Sequence, residues 1–383
     1  MTARLVDLRP VYVAGVGLHR YRKPTDTPYT DLALAAVRAA LADAGITWTS
    51  VETAVCGTAN LGLAAGWTAL RHLGATGIPV MQVENASATG STAFRDVVLQ
   101  VASGVADCGL ALGVDKVLRP RLAVLNAGTP DLVRGAAPPA VGFALEAKRH
   151  MRRHGTTLDQ LALVSVKNHW NGARNPNAQF QRECTREEVH QAPPIVDPFT
   201  TLHCCPLGEG AATAIVVSEE GLQRLGISRR RSLRVLCSVA NSETLTPPGE
   251  SLHVRITRDA VSRAYDETGL GPGDLDVIEL HEAFTIEEIL YIEAMGLCAE
   301  GEGGPFTESR ATWIGGDCAV NASGGLLAMG HPFGPTGIGQ IVEIARQLRG
   351  EAGDRQHQGA RLGLAHMVGV GEVCVVHILS REH

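Results

Sequence analysis

Aromatic side chains are scarce: phenylalanine, tryptophan and tyrosine make up 4% of the 383 residues, so composition offers no stacking surface for sugars or bases. No strong charge of one sign is present either. The formal net charge is -6, which argues against nucleic acid or an anionic membrane as the main partner. No run comes near the roughly 18 consecutive apolar residues of a membrane-spanning helix. The opening MTARLVDLRP lacks the apolar core of a secretory signal. The nine cysteines are scattered and odd in number, with Cys204 and Cys205 adjacent and no CxxC pair. This excludes a disulfide frame or zinc ribbon within the chain and fits a protein of the reducing cytoplasm that holds no metal.

What is present is a globular composition, 45% hydrophobic with 43 glycines, on a chain too long for one ordinary core. One pattern is written twice. Ala36 to Ala59 (AVRAALADAGITWTSVETAVCGTA) aligns without a gap to Ala260 to Ala283 (AVSRAYDETGLGPGDLDVIELHEA). Each reads as an amphipathic helix, a glycine stop (Gly45, Gly269), a turn and an apolar strand (Val51 to Cys56, Leu275 to Leu280). A second correspondence follows. Thr89-Gly90 and Thr336-Gly337 open helical stretches to Ser103 and Gly350, and strands of similar texture follow, ADCGLALG from Ala106 and ARLGLAHM from Ala360. Such alternation predicts an α/β protein with parallel sheets covered on both faces.

Two similar halves are therefore expected, 1–230 and 231–383, with the break in the charged turn GISRRRS (Gly226 to Ser232). Between the copies, about 118–200, lies a different region, read as an insertion over the first half. It carries a basic helix (EAKRHMRR) and the polar run HWNGARNPNAQFQRECTREE. This run reads two ways, as a grip for a phosphate or nucleotide handle or as a solvated cap. Cys204 to Ser218 reads as a loop and buried strand rejoining the first half.

Four glycine-, serine- and histidine-rich segments sit at strand ends, where open α/β sheets bind ligands. VENASATGSTAF places Ser87 at or just before a helix N-terminus, where N–H groups stabilise an oxyanion. The alternative is that Ser87 is an N-cap. LHEAF places His281 at a strand end, in either a structural or a catalytic role. NASGGLLAMGHPFGPTG fixes His331 between Gly330 and Pro332 on a glycine-dense loop. HMVGVGE carries His366 into a turn with Gly369 and Gly371. The Ser87 and His331 loops precede equivalent helices, which puts a nucleophile on one half beside a base on the other.

These segments, with HMRRHGTTLDQLALVSVKNHWNGARNPNAQF and LHCCPLGEGAATAI, resemble the thiolase superfamily over nearly the whole chain, most closely the sterol-carrier-protein-2 (lipid-transfer) type. NASGGLLAMGHPFGPTG resembles the family's NPSGG…GHP.GATG motif, and LHEAFTIEEILYIEAMGLC its HDCF or NEAF segment. The resemblance implies two βαβαβαββ halves in a five-layer αβαβα arrangement with a loop domain. It also implies dimerisation through the first half and an acyl-CoA whose pantetheine enters under the loop domain. Coenzyme A then serves as substrate carrier, and no separate cofactor is implied. The family's nucleophilic cysteine maps to Ser87. Its second thiol maps to Val368 (the CxG position) or Ala283 (the HDCF position), while the histidines His281 and His331 remain.

Three functions follow as expectations. The first is acyl transfer, or Claisen-type C–C bond formation or cleavage, on an acyl-CoA or acyl-carrier thioester through Ser87 and His331. Its oxyanion would be held by the Ser87 N–H with the Gly369–Gly371 turn, or by His281 and His331, and His366 is a further acid–base candidate. The second is a retro-aldol lyase on a β-hydroxyacyl-CoA, an activity that some bacterial relatives carry with a small OB-fold and zinc-ribbon partner. The third is a non-catalytic acyl-binding or scaffold subunit. Ordinary thiolase activity is disfavoured, because enolate formation lacks its thiol shuttle.

Overall fold

A computed structural model describes residues 4–117, 139–247, 249–369 and 373–381. The first part of the expected insertion, 118–138, and Gly371 lie outside the described residues.

The first half begins with β1 (Val11–Arg22), α1 (Tyr29–Ala44), β2 (Thr53–Gly57), α2 (Ala65–Leu70) and β3 (Val80–Val83). It continues with α3 (Thr89–Ala102) and β4 (Cys108–Asp115). The region between the copies follows as α4 (Pro139–His154), α5 (Leu158–Ala173), α6 (Arg186–Gln191) and the hairpin β5 (Pro194–Val196) and β6 (Phe199–Thr200). The chain then returns through β7 (Glu209–Ser218) and α7 (Glu219–Leu225). The second half runs β8 (Leu233–Ser242), α8 (Leu252–Thr268), β9 (Val277–Glu279), α9 (Thr285–Ala294) and α10 (Gly303–Glu308). It ends with β10 (Ala319–Val320), α11 (Gly325–Ala328), α12 (Phe333–Arg349), β11 (Leu362–Gly369) and β12 (Val373–Ser380).

The repeat is visible in the strand order β10-β9-β11-β12-β8-β1-β7-β4-β2-β3. Read outward from its centre, each half has the same five-strand sequence: two antiparallel pairings, β1–β7–β4 and β8–β12–β11, then two parallel ones, β4–β2–β3 and β11–β9–β10. The half-sheets join at β1 and β8 through Tyr12↔Arg234 and Val13↔Leu233. Helices α3 and α12 pack on each other between the half-sheets, and α1 and α8 cover the outer faces.

The α3–α12 contact is close because it is lined by glycine. A Cβ on Gly90 would lie 2.5 Å from the Gly334 carbonyl oxygen, and one on Gly337 would lie 2.3 Å from Ser91 Oγ. The first half also grips the start of α12 directly. The Gly334 N–H donates to Asp115 Oδ2 (2.7 Å), and Tyr21 donates its hydroxyl to the Pro335 carbonyl (2.8 Å).

The expected elements are present with shifted ends. The strands expected from Val51 and Leu275 start at Thr53 and Val277, and the helix expected from Thr336 starts at Phe333. The polar run after α4 is corrected more substantially. Lys167 and Asn171 reach the second half, donating to the Val320 carbonyl (2.8 Å) and the Asn321 carbonyl (2.9 Å). Asn168 donates to Glu282 (3.1 Å), and Asn175 to the Ser323 carbonyl (2.8 Å). All four side chains are buried. Asn171 and Asn175, the two that lie in the polar run, are therefore neither a solvated cap nor a free phosphate grip, and they pack on the second half rather than the first, whereas Gln181, Arg182, Glu183, Arg186 and Glu187 of the same run are exposed. The role of the four buried side chains is to satisfy backbone carbonyls and carboxylates of glycine-rich loops that have no ladder of their own.

Candidate active site

Ser87 lies in a single 3-10 turn, Ala86–Ala88, between β3 and α3. The turn is entered through Ala86 in the left-handed region (φ 47), which tips the next side chain off the helix axis. The Ala86 N–H donates to Glu84 (2.5 Å), and the Asn85 N–H to Thr89 Oγ1 (2.8 Å). The N-cap alternative fails here. The residue capping α3 is Ala88, and the Ser87 hydroxyl points away to His331 Nε2, 2.9 Å distant.

His331 comes from the other half, on the turn before α12. Its Nδ1 is 3.0 Å from Thr336 Oγ1, and Thr336 donates its one hydroxyl hydrogen to the Pro332 carbonyl at 2.6 Å. The Thr336 oxygen must therefore accept from His331, so Nδ1 carries the ring proton and Nε2 presents a lone pair to Ser87. Burial, and then the neighbouring His281, hold the His331 imidazole well below its ordinary range, which keeps it neutral and able to accept a proton. The result is a Ser–His–Thr line built across the two halves.

His281 stands beside it, with ring centroids 5.4 Å apart and nearly perpendicular to His331. Its Nδ1 faces Glu287 Oε1 at 3.0 Å, while its Nε2 is buried and has no partner. A buried unpaired ring nitrogen at such a point is a place for a substrate polar group. Glu287, on α9, also accepts from the Tyr291 hydroxyl (3.0 Å) and the Phe284 N–H (2.8 Å).

His366 is brought near but behind His281. Its Nε2 is 3.0 Å from Thr257 Oγ1, and its Nδ1 makes a long 3.5 Å contact with the His281 N–H. Burial pushes its imidazole down to about 3. With both nitrogens engaged, its contribution is to hold the His281 backbone. Gly369 packs under the serine turn, where a Cβ would lie 2.3 Å from the Asn85 carbonyl oxygen. Val368 and Ala283, the two thiol-equivalent positions of the resemblance, are buried apolar residues.

Sulfur is nevertheless close to the second of them. The Cys205 N–H donates to the Ala283 carbonyl (2.8 Å), and burial, then Glu287, hold the Cys205 thiol well above its ordinary range. Burial likewise pushes Cys56 and Cys318 up to about 12, so none of these thiols is poised as a nucleophile. Among the described residues no group of three or more His, Cys, Asp or Glu could hold a metal ion, and no helix is long and apolar enough to cross a membrane.

Sequence reasoning missed Thr336, Glu287 and Tyr291. In the sequence Thr336 reads only as a helix opener. No spacing or periodicity in the sequence marks any of the three.

Comparison with known proteins agrees with the geometry at the level of the fold. Residues 21–220 match the family described as thiolase, N-terminal domain, and residues 240–381 the one described as thiolase C-terminal domain-like. Sterol carrier protein 2 of Bos taurus is 38% identical over 386 residues, covering 96% of this chain and 71% of that protein. Acetyl-CoA acetyltransferase of Methanothermobacter thermautotrophicus is 36% identical over 385 residues, covering 98% of this chain and all (100%) of that protein. A solved "Ltp2-ChsH2(DUF35) aldolase" chain superposes with a TM-score of 0.85 at 24% identity, over 98% of this chain and 99% of that one, a likeness of fold. Two matched family domains and relatives this similar over almost the full length establish that the chain belongs to the thiolase family.

Proposed function

We propose that this chain is an acyltransferase that takes an acyl group from a coenzyme A or carrier-bound thioester onto Ser87 and passes it to a carbon nucleophile. The observation that carries this reading is the 2.9 Å contact between Ser87 Oγ and a neutral His331 Nε2 whose other nitrogen is tied to Thr336. It is the arrangement a weakly acidic hydroxyl needs to act as a nucleophile. The similar acetyl-CoA acetyltransferase supports thioester chemistry by its name.

In the first step Ser87 gives its proton to His331 Nε2, and Oγ attacks the thioester carbonyl. The oxyanion is held by the Ser87 N–H at the head of α3, and His281 Nε2 stands beside the reacting carbon. As the C–S bond breaks, the leaving thiolate takes the proton from His331. The oxygen ester that remains is less reactive than a thioester, so the second step relies on a well-placed acceptor. The reading is tested by mixing the protein with an acyl-CoA and following free thiol. One equivalent of thiol per Ser87, released in a burst and missing from Ser87→Ala, is expected. Equal bursts from the two proteins contradict it.

A retro-aldol reading draws on the unpaired, buried His281 Nε2, a base that needs no covalent partner. A ketone or aldehyde released from a β-hydroxyacyl-CoA by Ser87→Ala at the wild-type rate would replace acyl transfer with this activity.

The same proposal includes a homodimer through the first half. Strand β3 is an edge strand with Met81 exposed, and Leu63 and Trp67 are exposed beside it at 97% and 51%. Such an open edge with apolar neighbours is a surface that pairs with a second copy.

A further inference from the structure

We infer that Glu287 makes His281 the acid–base group at the substrate α-carbon, so that a buried Glu–His pair takes over the proton transfer for which this chain has no thiol in place. The inference rests on the acyl-transfer reading and concerns its second step.

Glu287 is fully buried, and its two carboxylate oxygens are surrounded by donors. Oε2 accepts the Phe284 N–H (2.8 Å), while Oε1 is shared between Tyr291 Oη (3.0 Å) and His281 Nδ1 (3.0 Å). An N–H on His281 Nδ1 is thereby favoured, which leaves Nε2 as the free lone pair. That atom is buried, unpaired and on a ring 5.4 Å from His331. A carboxylate fixed behind an imidazole orients it and stabilises the imidazolium that forms when it takes a proton.

The step balances as follows. His281 Nε2 takes the α-proton of the acceptor acyl group, and the C–H electron pair becomes the enolate. The enolate carbon attacks the Ser87 ester carbonyl, a C–C bond forms, and the bond from that carbon to Oγ breaks. The proton held by His281 returns to Oγ, and both histidines end as they began. His366 and Thr257 lie behind His281, and the 3.5 Å contact of His366 Nδ1 with the His281 N–H fixes the peptide that carries the ring.

The competing role for Glu287 is structural. It stands at the third residue of α9, where a carboxylate accepting the Phe284 N–H caps the helix. Glu287→Gln separates the two, because its one amide oxygen can still accept the Phe284 N–H and keep the cap, while the NH2 group that replaces Oε1 can no longer accept from His281 and the charge is gone. The experiment follows exchange of acetyl-CoA α-protons in D2O by NMR, beside the rate of acyl-adduct formation on the protein. In Glu287→Gln we expect exchange to fall by about 10²-fold, on the scale of a lost general base, while adduct formation changes only a few-fold. Exchange at the wild-type rate in Glu287→Gln overturns the inference, as does a wild-type protein that forms the adduct but exchanges no α-proton. Absence of both from the wild type overturns the acyl-transfer reading itself. Should Glu287→Gln not fold, Tyr291→Phe removes a hydrogen bond from the same oxygen and spares the cap. A several-fold change in exchange then supports the pair, and none contradicts it.

Discussion

Ser87 and His331 are 244 positions apart and meet at hydrogen-bond distance, so neither side chain means much without the other. Ser87 by itself has a sufficient explanation as a cap, and His281 as a structural residue at a strand end. The glycine-rich loops before equivalent helices made the meeting of Ser87 and His331 legible. Thr336 and Glu287 were not legible, because both are buried helical positions where a polar residue has no periodicity to mark it. Thr336→Val keeps shape and removes the oxygen that fixes the His331 tautomer. Its acylation rate is expected to fall by about 10²-fold with little change in KM, read by stopped-flow thiol release. The depressed His331 predicts a pH profile. A base whose pKa is lowered stays unprotonated as pH falls through the ordinary histidine range, so kcat/KM for acylation should hold level from pH 7.5 to pH 6. An acid limb centred near about 6.5, the unperturbed value, would contradict the burial of this ring.

At the scale of elements, the site depends on how α3 and α12 approach. Gly90→Ala places a methyl group against the Gly334 carbonyl, and the two helices must separate to admit it. The expected cost is about 1–3 kcal/mol of stability by denaturant unfolding. Acylation should also slow, although Ser87 and His331 are untouched, because their contact spans the same seam. Exposed Gly62, where a Cβ meets open space, serves as the control position. The repeat is readable by setting the two copies against each other, and the helices, glycine stops and strands of those copies from helical periodicity and glycine placement. The role of the polar run after α4 is not. HWNGARNPN reads as surface by composition, yet its Asn171 and Asn175 are buried, as are Lys167 and Asn168 just before it. The reason lies in their partners, loop carbonyls and carboxylates more than a hundred residues away, which composition does not reveal.

For the whole molecule, two halves with a shared middle layer bury several histidines. Burial holds His366 and His377 down to about 3. A lowered folded pKa means that the unfolded chain binds the proton first. Stability is therefore full above about pH 6.5 and is lost as pH falls toward the folded values. At pH 5 each ring should cost about 2 kcal/mol, visible as a drop in urea midpoint from pH 7 to pH 5 that becomes smaller in His377→Gln. The proposed dimer is checked at this scale too. Met81→Lys on the β3 edge should convert a dimer to a monomer by light scattering, while Leu245→Lys, at a more exposed site away from that edge, should not. The central claim remains that Ser87 is a nucleophile, and the mass of the intact chain tests it most directly. After incubation with an acyl-CoA, the wild-type protein should gain one acyl group, mapped by peptide fragmentation to Ser87 and absent from Ser87→Ala. An unmodified wild-type chain, or an adduct that persists in Ser87→Ala, would contradict the account.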